Sequence, residues 1–457
     1  MIFCPRAWVA LFLFYFWLMT PLQAGGPLEL SIEGVPILWE SPQAISYYTE
    51  ASGGLKSSEG LDNTASRQMI SDAANLWNNL SGLNISLSEG GTLPGDGDVD
   101  SSDYTDVFYV SGLSSDHLVT DCYPEFFTTV DTCRLPVVFD EDGEITDDLL
   151  GSCAKYSVLG FAGITHLNTD ANPERTTVRH GQALFNGTCV ISGETKTGCP
   201  GACGGVIYSQ DEAESTIAHE MGHFLGLDHA MVISETGFTN CLNDSMHPDC
   251  QGLPLMFPAL VPGQPTGVLH RDDEVSALKL YGDLSDTCTV SGTVFSQDGV
   301  TPFRGASVVA RRVGSELTDA IEAISGTYVS RTTFDDSSQG GCTSEGTLCG
   351  DWSISGLIDG ETYEICVQPL NNAFTGGSSV GPVDPPPTGF EEVCSTTLVT
   401  CDCSSGCAET TDIQVTVAAQ GSVTDPNSGG DNTSDGGDNS SQGGEATTAA
   451  GGCSLRR

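Results

Sequence analysis

STIAHEMGHFLGLDHA, residues 215–230, contains the pattern His-Glu-x-x-His-x-x-Gly-x-x-His. His219 and His223 are four residues apart, so on a helix both imidazoles point to the same side and can bind one metal ion. Gly226 has no Cβ atom and can take the left-handed conformation that ends a helix and turns the chain back. That turn brings His229 towards the same ion as a third ligand.

The chemistry that this pattern favours is that of a catalytic zinc site. Three protein nitrogens leave the fourth coordination position open to a water or to substrate. A structural zinc site is instead closed by four protein ligands. Glu220 follows the first histidine, where a carboxylate can take a proton from the metal-bound water. A chance occurrence in an ordinary helix is the alternative. The preceding segment SQDE, residues 209–212, and the helix-ending Gly226 favour the zinc site.

With these residues the sequence resembles the metzincins, and within them the matrixins, from about Leu28 to Asp283. The resemblance implies an α+β (α/β-type) domain with a mixed sheet and an active-site helix, and zinc-dependent hydrolysis of peptide bonds. In LPLMFP, residues 253–258, Met256 falls where the family has the Met-turn beneath its zinc ligands. A core methionine is the alternative reading of Met256 alone.

The segment LHRDDEVSALKLYG, residues 269–282, resembles the closing helix of matrixin catalytic domains. Asp272 and Asp273 lie at its start, where acidic side chains stabilise a helix, so we predict structural roles for both. His270 is predicted to be a surface residue rather than a ligand. The chain lacks the Pro-Arg-Cys-Gly-x-Pro-Asp segment of matrixins, so latency through a propeptide cysteine is not expected.

A second metal is suggested by VVFDEDGEITDDLLG, residues 137–151. Asp140, Asp142 and Glu144 alternate there with Gly143 between them, and calcium accepts oxygen ligands at such spacing. A solvated acidic turn is the alternative, because the full twelve-residue calcium-loop signature is absent.

Elsewhere the pattern is that of an α/β domain followed by an all-β domain. SRQMISDAANLWNNL, residues 66–80, has helical periodicity, and three segments are predicted strands: DVFYV (106–110), RLPVVFD (134–140) and VLGFAGITHLN (158–168). After Cys288, short strands separated by glycine-rich turns predict a small β-sandwich. This region resembles the carboxypeptidase regulatory-like domain, a transthyretin-like fold.

These patterns divide the chain into four parts. Residues 1–24 are an apolar run with the features of a signal peptide, for which a signal anchor is the alternative. Residues 25–283 form the predicted zinc domain and residues 284–420 the β-sandwich. Residues 421–457 are rich in Gly, Ser, Asp and Asn and are predicted to be a flexible tail. The tail holds Cys453, which is either a point of cell-surface attachment or processing, or a free or intermolecular thiol.

The chain has 18 cysteines, and the predicted export makes disulfides the default interpretation. Eight lie between Cys122 and Cys250 and eight between Cys288 and Cys407, which suits two separately cross-linked domains. Connectivity does not follow from sequence. We therefore offer four neighbouring pairs only as guesses: Cys122 with Cys133, Cys199 with Cys203, Cys241 with Cys250, and Cys342 with Cys349. Cys401, Cys403 and Cys407 are predicted to form disulfides rather than a metal cluster.

The net charge of −45 argues against nucleic acid or an anionic membrane as a partner. No segment after residue 24 is long and apolar enough to span a bilayer. The sequence therefore predicts a secreted zinc metalloendopeptidase that acts on protein or peptide substrates, with Glu220 as general base. The alternative is a surface binding or adhesion protein with an inactive zinc domain. All the proposed catalytic residues lie within residues 25–283, so we expect this part to fold and act alone.

Overall fold

The computed structural model describes residues 26–29, 36–40, 43–93, 97–108, 135–168, 176–190, 197–199, 209–232, 234–261, 263–303, 305–325, 350–369, 390–404, 407 and 409–417. The predicted signal peptide and the predicted tail with Cys453 lie outside these residues. So do Tyr109 and Val110 of DVFYV and the guessed pairs Cys122 with Cys133 and Cys342 with Cys349.

The amino-terminal half is built on one mixed five-stranded sheet. Its strands are β1 (Gln43–Thr49), β2 (Ile85–Thr92), β3 (Leu135–Asp140), β4 (Gly160–Asn168) and β5 (Thr177–Asn186), in the order β2-β1-β3-β5-β4. Neighbouring strands are parallel except β4, which runs antiparallel to β5. Among the described strands, β4 therefore forms one edge of the sheet, and it runs opposite to its neighbour β5.

Six helices in the described residues accompany this sheet. They are α1 (Asn63–Asn78), α2 (Glu144–Leu150), α3 (Gly187–Val190), α4 (Gln210–Phe224), α5 (Ser234–Asn243) and α6 (Arg271–Tyr281). Helix α1 begins after Asp62, whose side chain accepts a hydrogen bond from the Ala65 amide. Helices α1 and α4 share one hydrophobic core with the sheet, in which Trp77, Ile217 and Phe185 are fully buried. This core carries α4, the helix of the histidine motif.

The carboxy-terminal half is all β in its described residues. Its strands are β6 (Thr287–Phe295), β7 (Ala306–Arg312), β8 (Ala320–Ile324), β9 (Asp351–Ile358), β10 (Thr362–Pro369), β11 (Val393–Cys394), β12 (Val399–Thr400) and β13 (Glu409–Thr416). One sheet has the order β11-β10-β7-β8, with β12 also paired to β10, and the other has the order β13-β6-β9. Trp352, Tyr363 and Ile365 fill the core between them.

The structure confirms a mixed α/β region followed by an all-β region. The predicted helix corresponds to α1, and RLPVVFD and VLGFAGITHLN correspond to β3 and β4. The prediction of a strand at DVFYV is wrong for its described part. Residues Tyr104–Asp106 form a 3-10 turn. Val107 and Phe108 follow it outside any strand and are buried in one hydrophobic cluster with Val138 of β3 and Phe161 of β4. Apolar character there reflects burial of a loop rather than strand pairing.

Disulfides cross-link both halves. The described pairs are Cys153–Cys199, Cys241–Cys250, Cys288–Cys401, Cys366–Cys394 and Cys403–Cys407. The guess for Cys241 with Cys250 is confirmed. The guess for Cys199 with Cys203 is wrong, because Cys199 pairs with the residue 46 positions earlier. In the described part of the chain, every pair stays within one of the two sequence blocks.

Candidate metal centre

Helix α4 has well-defined ends, and both follow from its sequence. Ser209 precedes it, and its hydroxyl accepts from the Glu212 amide while the Glu212 carboxylate accepts from the Ser209 amide, a capping box. After Phe224 the chain turns at Gly226, which has φ of +91° as the motif predicts. The Tyr281 hydroxyl donates to the carbonyl of Leu225 in this turn. The turn therefore rests on helix α6.

The turn brings the three motif histidines together. The ring centroids of His219 and His223 lie 4.7 Å apart, and those of His223 and His229 lie 4.6 Å apart. One nitrogen of each ring lies within 4.8 Å of the others. The three side chains thus form one potential metal-binding group, as the sequence predicts.

Main-chain carbonyls orient two of the rings. The Nδ1 atom of His219 lies 2.7 Å from the Leu255 oxygen, and Nδ1 of His223 lies 2.8 Å from the Leu227 oxygen. A carbonyl oxygen only accepts, so each Nδ1 carries the proton and each Nε2 keeps a lone pair for a metal. Burial lowers the pKa of His219 to about 4, which keeps this ring neutral at physiological pH.

The distances suit zinc. The Nε2 atoms of His223 and His229 are 3.1 Å apart. Tetrahedral zinc with bonds of about 2.0–2.1 Å would separate two ligand nitrogens by about 3.3 Å. With both nitrogens unprotonated, their two lone pairs can bind one cation. The three imidazoles therefore fit a divalent metal such as zinc.

Glu220 is buried beside this group and is 4% exposed. Its Oε2 atom has no hydrogen-bond partner among the described residues. Burial raises the pKa of Glu220 to about 8, and a hydrogen bond from the backbone of Ala162 in β4 opposes that rise. One carboxylate oxygen is thus held by the edge strand, and the other is available to a bound water.

Met256 lies against the helix that carries the first two histidines. Its side chain is 1% exposed and packs against Gly222 of α4, between the first two ligands in sequence. The segment is held by Asp273, whose carboxylate accepts from the amides of Leu255 and Met256 at 2.8 and 3.0 Å. Because the Leu255 carbonyl binds His219, Asp273 acts on that ring through the turn. Asp273 was predicted as a helix-start residue only.

The loop that carries His229 is held from several sides. The Leu28 amide donates to the Gly226 oxygen at 2.7 Å, and the Asp228 amide donates to the Gly26 oxygen at 2.8 Å. The Ala230 amide donates to the Met256 oxygen at 2.9 Å. The position of the third histidine therefore depends on segments far apart in sequence.

The prediction that His270 is a surface residue is wrong. His270 is 7% exposed and precedes α6, where its Nδ1 accepts from the Asp272 amide at 3.2 Å. Its Nε2 lies 2.8 Å from the Leu317 oxygen in the all-β half, and burial lowers its pKa to about 4. The packing of the two halves, which sequence does not reveal, covers this ring.

The predicted calcium ligands do not form a ligand group among the described residues. Both oxygens of buried Asp140 accept hydrogen bonds from the start of α2, including the Thr146 amide at 2.7 Å and hydroxyl at 2.6 Å. The Asp142 carboxylate accepts from the Glu144 amide, and Glu144 pairs with Lys155. These carboxylates are engaged in local contacts, so the geometry gives calcium no support here.

Two further groups have the composition of metal sites. Cys288, Cys401 and Cys403 cluster in the all-β half, and so do Glu364, Cys366 and Cys394. Their cysteines are joined in disulfides, which removes the thiolates that a metal would bind. The preference for disulfides at Cys401, Cys403 and Cys407 is confirmed.

Comparison of the chain with protein-family models, with curated proteins and with solved structures finds no match. In the part of the chain that the structure describes, no helix has the length and hydropathy needed to cross a bilayer. Several disulfides are compatible with an oxidising extracellular environment. The function is therefore argued from the residues of the site.

Proposed function

We propose that this chain is a secreted, zinc-dependent endopeptidase and that its amino-terminal half is a metzincin domain of matrixin-like type. The observation that carries the proposal is the convergence of His219, His223 and His229 beside a buried Glu220. A left-handed Gly226 and the packing of Met256 against Gly222 support the same assignment.

The edge strand supports a peptide as substrate. In the described residues β4 pairs with β5 on one side only, and its Ala162 backbone contacts Glu220. An extended peptide can pair with an exposed strand edge through main-chain hydrogen bonds. A substrate added to β4 in this way would lie alongside the three histidines.

His219, His223 and His229 would hold the zinc ion. When bound there, zinc supplies a Lewis acid and lowers the pKa of a water that it carries. The free Oε2 atom of Glu220 would take the proton from a water that attacks the scissile carbonyl carbon. The same carboxyl then delivers the proton to the departing amine nitrogen. The Leu255 and Leu227 carbonyls keep two rings oriented throughout.

The test uses the purified full chain. We expect about one zinc per chain, cleavage of an unfolded protein or a peptide library, loss of cleavage with a strong chelator and recovery on zinc addition. Cleavage that survives prolonged chelation would contradict the zinc assignment. A zinc-loaded chain that binds peptides and cleaves none would identify the alternative, a surface binding protein.

A further inference from the structure

The two halves of the molecule meet next to the metal centre. Val232, three residues after His229, packs with Val309 and Ala320 of the all-β half, and all three are fully buried. Val275 of α6 belongs to the core cluster of the all-β half. These contacts seal the junction from water.

Two buried carboxylates, one from each half, accept hydrogen bonds from the main chain of the other half. Oε2 of Glu322, on β8, accepts from the Met231 amide at 3.0 Å. Asp272, on α6, accepts from the Glu322 amide at 2.8 Å through its Oδ1 atom. Both side chains are 0% exposed. Each half therefore supplies a carboxylate to a backbone amide at the same junction.

These bonds lie within a few residues of the metal ligands. Met231 is two residues after His229, so the bond from Glu322 fixes the chain directly beyond the third ligand. On the other side of the junction, Asp272 adjoins Asp273, which holds the turn whose carbonyl binds His219. Two ligands are thus connected to one interdomain contact.

We propose that Glu322 of the all-β half is a positioning residue for the metal centre, holding the His229 loop through the Met231 amide. The inference rests on the proposed function only in that the three histidines bind zinc. Groups that orient metal ligands typically change metal affinity by about 10- to 100-fold when removed.

This arrangement argues against the expectation that residues 25–283 act alone. Without the all-β half, the Met231 amide and the Asp272 carboxylate would lose their buried partners, and Val232 and Val275 would be exposed. Buried groups left without partners are costly. The all-β half is then part of the catalytic unit and not an independent appendage.

The test measures zinc release from the full chain into a chromogenic chelator. Glu322→Leu keeps a similar volume but removes the acceptor, and we expect release about tenfold faster or more. Glu322→Gln retains an oxygen for the Met231 amide and should restore release to within about threefold of the parent. Glu316→Ala, at an exposed site in the same half, serves as the control and should match the parent.

Hydrogen exchange in the parent gives a second measurement that needs no variant. The Glu322 amide bonds to Asp272, and binding linkage is reciprocal. Zinc addition to the metal-free chain should therefore slow exchange of the amides of Met231 and Glu322. Parental zinc release by a folded Glu322→Leu variant, or no effect of zinc on these two amides, would overturn the inference. A parent that binds no zinc at its histidines would instead refute the proposed function.

Discussion

The sulfur of Met256 occupies the space that a Cβ atom on Gly222 would need. It lies well under 3.0 Å from that Cβ position, and real Cβ atoms essentially never come closer than 3.0 Å to another atom. Trp77 also lies closer than 3.0 Å to the same position. Gly222 stands between Glu220 and His223 in the motif. The absence of a side chain at residue 222 thus allows the methionine turn to approach the metal-binding helix.

Gly222→Ala should therefore displace Met256 and loosen its contact with helix α4. Overpacking of this kind typically costs about 1–3 kcal/mol of unfolding free energy, and we expect weaker zinc binding as well. Denaturant unfolding and zinc titration measure both effects. Gly97→Ala is the control, because a Cβ there meets nothing within 4 Å. Equal stability of both variants would show that the approach of Met256 does not require glycine.

Asp273→Asn tests the link between α6 and the methionine turn. The two carboxylate oxygens of Asp273 accept from the amides of Leu255, Met256 and His270. Asparagine offers one acceptor oxygen and turns an NH₂ group towards an amide donor. We expect a loss of about 1–3 kcal/mol in unfolding free energy and zinc affinity lower by about tenfold or more.

The control for this variant is Asp283→Asn, at an exposed position just after α6. If Asp273→Asn unfolds at the parent's denaturant concentration and binds zinc equally well, the turn is held by other contacts. A loss of stability with unchanged zinc affinity would show that the turn does not orient His219.

The sequence predicts how residues close together in the chain combine at the site, but it does not predict the contacts between distant residues. The spacing of the histidines and Gly226 predicts one metal-binding group because helix geometry relates residues a few positions apart. The contact between Glu322 and Met231 joins residues 91 positions apart, and no periodicity marks it. The same reason explains the error at His270, which is buried by the all-β half. A pair of aspartates at the start of α6 was the only local signal for the junction.

Glu50 gives a pH-dependent prediction away from the metal centre. It is fully buried at the end of β1, and its Oε1 atom accepts from the Phe139 amide at 2.7 Å. Burial raises its pKa from 4.5 to about 10, and the nearby negative charge of Asp98 adds to the rise. The folded state therefore binds this proton more tightly than the unfolded state does. Its contribution to stability is fully present below pH 4.5 and is lost as pH rises towards 10.

Glu50→Gln removes that titration while keeping an oxygen for the Phe139 amide. In metal-free protein at pH 8, we expect the variant to be more stable than the parent by about 1–3 kcal/mol, with a smaller difference near pH 5. Urea unfolding of both proteins across this pH range measures the difference in unfolding free energy. Glu59→Gln, at an exposed site, should follow the parent. A variant less stable than the parent at pH 8 would contradict the prediction.

The proposed general base gives the sharpest prediction, through Glu220→Gln. Glutamine has nearly the same volume and can still accept from the Ala162 backbone, and it leaves the three histidines in place. It cannot take a proton from a zinc-bound water at neutral pH. General-base catalysis contributes about 100- to 10,000-fold, and here one group also returns the proton to the amine. We expect about one zinc per chain with turnover lower by roughly three orders of magnitude.

Two comparisons make the result specific to proton transfer. Glu214→Gln lies on the same helix, where its carboxylate accepts from Gln210 near the surface, and should keep the parental turnover. His229→Ala should lose both zinc affinity and activity, because it removes a ligand and leaves two imidazoles on one helix. Peptide cleavage and zinc content, measured on the same samples, separate the two kinds of loss. A Glu220→Gln variant that retains zinc and cleaves at nearly the parental rate would show that another group takes the proton.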